Sequence, residues 1–116
     1  LDEIQSGMGR SGRDFCFQHE IDRPDGLILG KALGGGIYPV SAFLARRDVM
    51  DVFQPGSHGS TFGGNPIAAA IGLEAIRILK DEKLSEKSAA LGAYLKQQLA
   101  AINTSLITEI RGAGLW

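Results

Sequence analysis

Along residues 1–64 apolar positions come in short runs broken by glycine, whereas from residue 65 onward they recur at helical spacing. Residues 1–5 read as the end of a strand entering a glycine-rich turn, Ser6 to Gly12. Pro24-Asp25-Gly26 is a turn signal, and Leu27-Ile28-Leu29 after it reads as a short, wholly apolar strand. Lys31 stands at the end of that strand, before Gly34-Gly35-Gly36. A second strand is expected over about Val40 to Ala45, then a short helix over Arg46 to Phe53. The most apolar stretch, Gly26 to Ala45, is long enough to suggest a membrane span. Lys31, Pro39 and its glycines break it, so it reads as buried strands with a loop between them.

Residues 54–64 form a loop that ends where Asn65-Pro66 opens a helix in the preferred way, with Asn as N-cap and Pro at the first helical position. That helix runs to about Lys80. Ile67, Ala70, Ile71, Ala75, Ile78 and Leu79 leave it apolar on much of its circumference, which predicts burial. Asp81-Glu82-Lys83 marks a boundary. Beyond it Leu84, Leu91, Leu95, Leu99 and Ile102 line one stripe of a second, amphipathic, surface-lying helix whose other face carries Lys87, Lys96, Gln97 and Gln98. Leu106 to Ile110 is strand-like, and Arg111 to Gly114 turns toward another strand. The expected organisation is residues 1–82 as part of one α/β domain and residues 83–116 as the start of a second. With Leu1-Asp2-Glu3 at one end and Leu115-Trp116 directly after a glycine turn at the other, the chain reads as an interior piece of a longer protein. Alone it is expected to be inactive and to associate or stay partly disordered, since cut edges bury apolar surface poorly.

Composition changes this picture in two places. Glycine, at 16 of 116 residues, is roughly twice its usual share and is concentrated before residue 65, where the backbone must turn sharply or approach a ligand. A net charge of −1 argues against nucleic-acid binding, which would call for a basic excess. Cys16 is the only cysteine, so no internal disulfide can form, in keeping with a cytoplasmic setting, or a mitochondrial matrix if the source is eukaryotic. No membrane association is expected.

Lys31 is the first candidate for chemistry. It is the only lysine before Lys80, although the same stretch carries six arginines. Burial and a nearby positive charge both favour the neutral amine, which is how a lysine becomes a nucleophile toward aldehydes. By its setting alone, a strand-end lysine reaching to water is the commoner case. Gly7-Met8-Gly9-Arg10-Ser11-Gly12 matches the dinucleotide pattern G-x-G-x-x-G, but no apolar helix opens at the third glycine and Pro24 follows. Gly30-Lys31 lacks the first glycine and the magnesium-binding hydroxyl of a phosphate loop, since Asp25 and Ala32 stand there. His19 and His58 are lone histidines without helical partners, so no metal site is expected.

Three motifs in order carry a resemblance. Asp2-Glu3-Ile4-Gln5-Ser6-Gly7-Met8-Gly9-Arg10, then Ile28-Leu29-Gly30-Lys31-Ala32-Leu33-Gly34-Gly35-Gly36, then Gly59-Ser60-Thr61-Phe62-Gly63-Gly64-Asn65-Pro66 together resemble the class III aminotransferases of the ornithine and acetylornithine type. Pro55 to Phe62 and Lys31 to Val40 are most similar to the ornithine branch. The resemblance implies an interior segment of the fold-type I α/β architecture. Residues 1–82 would be the C-terminal part of the cofactor-binding large domain, with its mostly parallel sheet flanked by helices, and residues 83–116 the beginning of the small C-terminal α+β domain.

It implies pyridoxal 5′-phosphate as cofactor, held by Lys31 as a Schiff base, with Lys31 then moving the proton between substrate and cofactor carbons. Asp2 would face the ring nitrogen and keep it protonated. Gln5 would donate to the ring hydroxyl oxygen. Ser60 and Thr61 would bind the phosphate, in this family usually that of the neighbouring subunit of a homodimer. The implied reaction passes the δ-amino group of ornithine to 2-oxoglutarate; acetylornithine, 4-aminobutyrate and other ω-amines are the alternative donors. A non-catalytic relative and a nucleotide-binding module on the glycine turn are the competing classes.

Overall fold

The computed structural model describes residues 1–116. Its centre is β1 (Gly26–Leu29), paired antiparallel with β2 (Ala42–Ala45), Leu27 opposite Leu44 and Leu29 opposite Ala42. On the other edge of β1 the N-terminal segment makes a single parallel bridge, Asp2 to Ile28. There the Glu3 N–H donates to the Ile28 carbonyl at 2.9 Å and the Ile28 N–H to the Leu1 carbonyl at 2.9 Å. β1 is therefore the middle of three extended segments, and the chain holds one antiparallel pair and one parallel bridge of sheet.

The core gathers on one face of this sheet. Leu27, Leu29 and Leu33 form a buried cluster, with Met8, Phe15, Phe17, Val40 and Ala42 packed against it. Strand alternation sends Ile28 outward, and with Phe43 and Leu44 it is exposed. β1 is thus buried on one face only, and in β2 Phe43 and Leu44 are exposed on opposite faces, where the apolar content of Gly26 to Ala45 predicts buried strands.

Three helices complete the chain: the short α1 (Arg47–Met50), α2 (Pro66–Asp81) and α3 (Leu84–Ala100). α2 begins as its sequence dictates, with the Asn65 side chain accepting from the Ala68 N–H at 2.9 Å and Pro66 at the first position. It lies on the 3-10 turn Lys31–Gly34, with Gly72 facing Leu33. Its burial is narrower than the apolar pattern predicts: Ala68, Gly72 and Leu79 are buried, whereas Ile67 and Leu73 are exposed.

α3 departs further from expectation. Its buried residues are Ser85, Ser88 and Gly92, and the leucine stripe predicted to face the core stays exposed at Leu91 and Leu95. The cause is the closeness of the backbone it meets. Gly12 and Gly114 press against α3 so tightly that a Cβ on Gly12 would lie 3.1 Å from that of Ala89. Only small side chains fit, and serine hydroxyls satisfy the polar groups they cover: Ser85 donates to Asp14 at 2.6 Å and Ser88 to the Arg10 carbonyl at 2.8 Å. The strand expected over Leu106 to Ile110 does not form, because no sheet edge reaches it; Leu106 is 90% exposed. After Gly114 the chain makes turn contacts, with the Leu115 N–H donating to the Arg10 carbonyl at 2.9 Å.

Only 15 of 116 residues are buried, and the radius of gyration is 17.4 Å, against about 13 Å for a compact domain of this length. No helix is long and apolar enough to cross a membrane.

Candidate functional site

Lys31 is placed by a change of backbone hand. Gly30 is extended at φ −172°, and Lys31 follows at φ +44°, a left-handed conformation that non-glycine residues rarely adopt. The tight turn holds it there, with the Leu33 N–H donating to Gly30 and the Gly35 N–H to Ala32, both at 3.0 Å. From this position the Lys31 ammonium donates to Gln5 Oε1 at 3.0 Å across 26 residues of chain. Both residues line a cavity of about 730 Å3 between the glycine turn and α3, within the roughly 300–1,000 Å3 usual for small-molecule sites. The charged residues lining it are Arg10, Lys31 and Lys87, with no carboxylate among them. Lys31 itself is exposed, so this chain does not supply the dry surroundings that a neutral amine calls for.

Asp2 sits on the strand neighbouring β1, opposite Ile28. Ile28 precedes Lys31 by three residues, about 10 Å along an extended chain. The Asp2 carboxylate accepts from the Ile4 N–H at 2.9 Å and is exposed; it does not line the cavity that Lys31 and Gln5 share. Gln5 and Lys31 are thus brought into contact, and Asp2, bridged to Ile28, is not part of that contact.

Ser60 and Thr61 lie elsewhere. Their loop is exposed and packs beside Tyr38 to Ser41, away from the Lys31 cavity. The Ser60 hydroxyl accepts from the Gly63 N–H at 2.9 Å and the Asn65 side-chain amide donates to the Phe62 carbonyl at 2.8 Å, which shapes the loop entering α2. The lone histidines find structural partners: His19 Nε2 lies 3.0 Å from the Ser11 carbonyl, and the ring of His58 packs edge-on to Phe53.

Glu3 is a further residue of this region that the sequence does not announce. It is 3% exposed, and its carboxylate accepts from the Cys16 N–H at 2.6 Å and the Phe17 N–H at 2.7 Å. No local pattern announces this, because the partners lie 13 and 14 residues away. An acidic residue beside Asp2 in an exposed-looking strand end reads as solvated charge.

Comparison with known proteins adds an independent line. The family model for class-III aminotransferases matches residues 1–116. An ornithine aminotransferase of Bacillus cereus is 53% identical over 115 residues, which cover 99% of this chain and 29% of that protein. Among solved structures, the ornithine aminotransferase of Toxoplasma gondii, with PLP partly occupying its active site, superposes with a TM-score of 0.94 at 50% identity, covering 98% of this chain and 28% of that one. The acetylornithine aminotransferase of Elizabethkingia anophelis gives 0.92 at 50% identity, covering 97% and 29%. The chain therefore spans less than a third of the length of these relatives. The likeness bears out the α/β, fold-type I expectation.

Proposed function

The chain belongs to the class-III aminotransferases, a pyridoxal-phosphate-dependent family, and on that premise we propose that the whole protein moves the δ-amino group of ornithine to 2-oxoglutarate, with Lys31 as the cofactor-holding amine. The contact between Lys31 and Gln5 at the wall of a ligand-sized cavity carries this reading.

The residues present fit the cofactor by their chemistry. An amine suits an aldehyde carbon, an amide suits a ring hydroxyl oxygen, and a carboxylate on the adjoining strand suits a protonated ring nitrogen. Bound pyridoxal phosphate supplies an aldehyde that captures amines and a ring that takes up electrons. Lys31 would hold that aldehyde carbon and, when an amine takes its place, would serve as the base and acid that moves one proton. Gln5 orients Lys31 and the ring oxygen. Asp2 would hold the ring-nitrogen proton; a carboxylate–cation pair at about 4 Å and an effective dielectric near 20 is worth about 4 kcal/mol, roughly three pKa units. Ser60 and Thr61 bind phosphate, and their distance from the Lys31 cavity favours a homodimer in which they serve the partner subunit's site. Two hydroxyls are too few for a dianion, so further phosphate ligands come from outside this chain. Residues 1–82 belong to the large domain and 83–116 open the small one. The protein is assigned to the cytoplasm, or to the mitochondrial matrix in a eukaryote.

The test uses the whole protein with pyridoxal phosphate. Borohydride reduction should fix the cofactor to the peptide containing Lys31, and ornithine with 2-oxoglutarate should yield glutamate. A cofactor still fixed to the protein in Lys31→Ala would overturn the assignment of the lysine. A second donor, acetylornithine, has a specific ground in the 50% identity to the Elizabethkingia enzyme; product analysis with each amine decides between them.

A further inference from the structure

We infer that Glu3 is a positioning residue whose buried carboxylate sets the orientation of Asp2 and Gln5, and hence the geometry of the Lys31 site. This rests on the reading of Lys31, Asp2 and Gln5 given above.

The segment that carries Asp2 and Gln5 is weakly held by sheet pairing. It makes one bridge to β1 and then enters the glycine turn. Glu3 lies between the two and ties three parts of the fold together. Its N–H donates to Ile28 of β1, and its carbonyl accepts from the Gly7 N–H at 3.1 Å. Its two carboxylate oxygens are each used by a different backbone donor, at Cys16 and Phe17, the first two residues of the 3-10 turn Cys16–His19.

The consequence for the site follows from strand geometry. Neighbouring side chains of an extended segment point to opposite faces, so drawing Glu3 inward turns Asp2 outward. The Gly7 bond fixes the turn at the other end, where Gln5 reaches Lys31. The clamp is closely fitted: a Cβ on Gly7 would lie 2.9 Å from the Glu3 carbonyl oxygen and 3.0 Å from its Oε2. A side chain at position 7 would press on the carboxylate that anchors the segment. The glycine there serves this close approach, since a bulkier residue could not share the space.

An uncharged amide tests the inference with little change of shape. Glu3→Gln retains one acceptor but presents an NH2 to the other N–H, leaving a buried donor unpaired. The whole protein is compared with Glu3→Gln, Glu3→Ala and Gly7→Ala, reading cofactor affinity by absorbance titration of the apo form, the pH midpoint of the bound cofactor's visible band, and thermal unfolding of the apo form. The expected result is affinity weakened by about tenfold in Glu3→Gln, because a loosened segment must be ordered again when the cofactor binds, with a displaced pH midpoint. Gly7→Ala should move both in the same direction. Variants that unfold at lower temperature while keeping wild-type affinity and pH midpoint would overturn the inference, because Glu3 would then serve folding alone. If Glu3→Ala does not fold, the two milder variants decide by the same readings. A wild-type protein that binds no pyridoxal phosphate would instead sink the functional reading on which the inference rests.

Discussion

The hydroxyl of Ser88, in the second turn of α3, donates to the carbonyl of Arg10 at 2.8 Å, joining residues 78 positions apart. The same oxygen accepts from the Leu115 N–H at 3.2 Å. One small polar side chain therefore ties α3, the glycine turn and the C-terminal turn together. Ser88→Ala removes it while the Leu115 N–H and the Arg10 carbonyl stay bonded to each other at 2.9 Å, so a loss of only about 0.5–1.5 kcal/mol, that of ordinary hydrogen bonds, is expected, read as a lower denaturation midpoint at unchanged slope. Ser88→Leu, which would suit an apolar helix face, should be worse, because it replaces the hydroxyl at a buried position with a larger apolar group facing the Arg10 carbonyl.

Gly92 faces the backbone of Gly114 with no space for a methyl group. Gly92→Ala raises intrinsic helix propensity by roughly 1 kcal/mol, yet is expected to be destabilising on balance, since overpacking a close backbone contact costs about 1–3 kcal/mol or more. A midpoint that rises in chemical denaturation would show that the contact yields.

Gln5 and Lys31 separate stability from binding. Their hydrogen bond is exposed, and exposed contacts of this kind change stability by less than about 0.5 kcal/mol when lost. Gln5→Ala should leave thermal unfolding of the apo form unchanged while weakening pyridoxal phosphate binding in the whole protein. Equal affinity in the two proteins would remove Gln5 from the site.

Acid should loosen α2 through a surface cluster. The Arg77 guanidinium donates to Glu74 at 2.8 Å and to Asp81 at 2.6 Å, and its hydrogen bonds hold the Glu74 carboxyl below its ordinary value of 4.5. A carboxyl with a lowered folded pKa contributes stability above its unfolded pKa and loses it as pH falls through the folded one. Helicity should therefore hold from neutrality down to about pH 5 and decline below about pH 4. All three side chains are exposed, so the effect is small and fades with added salt. Circular dichroism of Arg77→Met should show a flatter acid response than wild type. An identical response would dissociate the cluster from the transition.

How much of this was legible beforehand depends on the range of the interaction. The Asn65 cap, the proline after it and the break before β1 at Pro24 to Gly26 are set by neighbours a few residues away, and they read directly. Lys31 could be singled out as a strand-end amine, and the three motifs pointed to the family that the comparisons bear out. The leucine stripe of α3 misled because periodicity reports which face is apolar, not which face is met. The strand over Leu106 to Ile110 misled for a related reason, since a strand exists only where an edge is offered.

The order of β1, β2 and the helices as far as Ala100 followed from the sequence by itself, because capping, proline geometry and local propensity act within one or two turns of chain. Tertiary structure alone decided that serines rather than leucines of α3 face inward, that Glu3 is buried on the Cys16 and Phe17 amides, and that Gln5 rather than Asp2 touches Lys31. Each of these depends on how closely two distant stretches of backbone approach, and on which polar groups that approach strips of water. No local pattern encodes that distance.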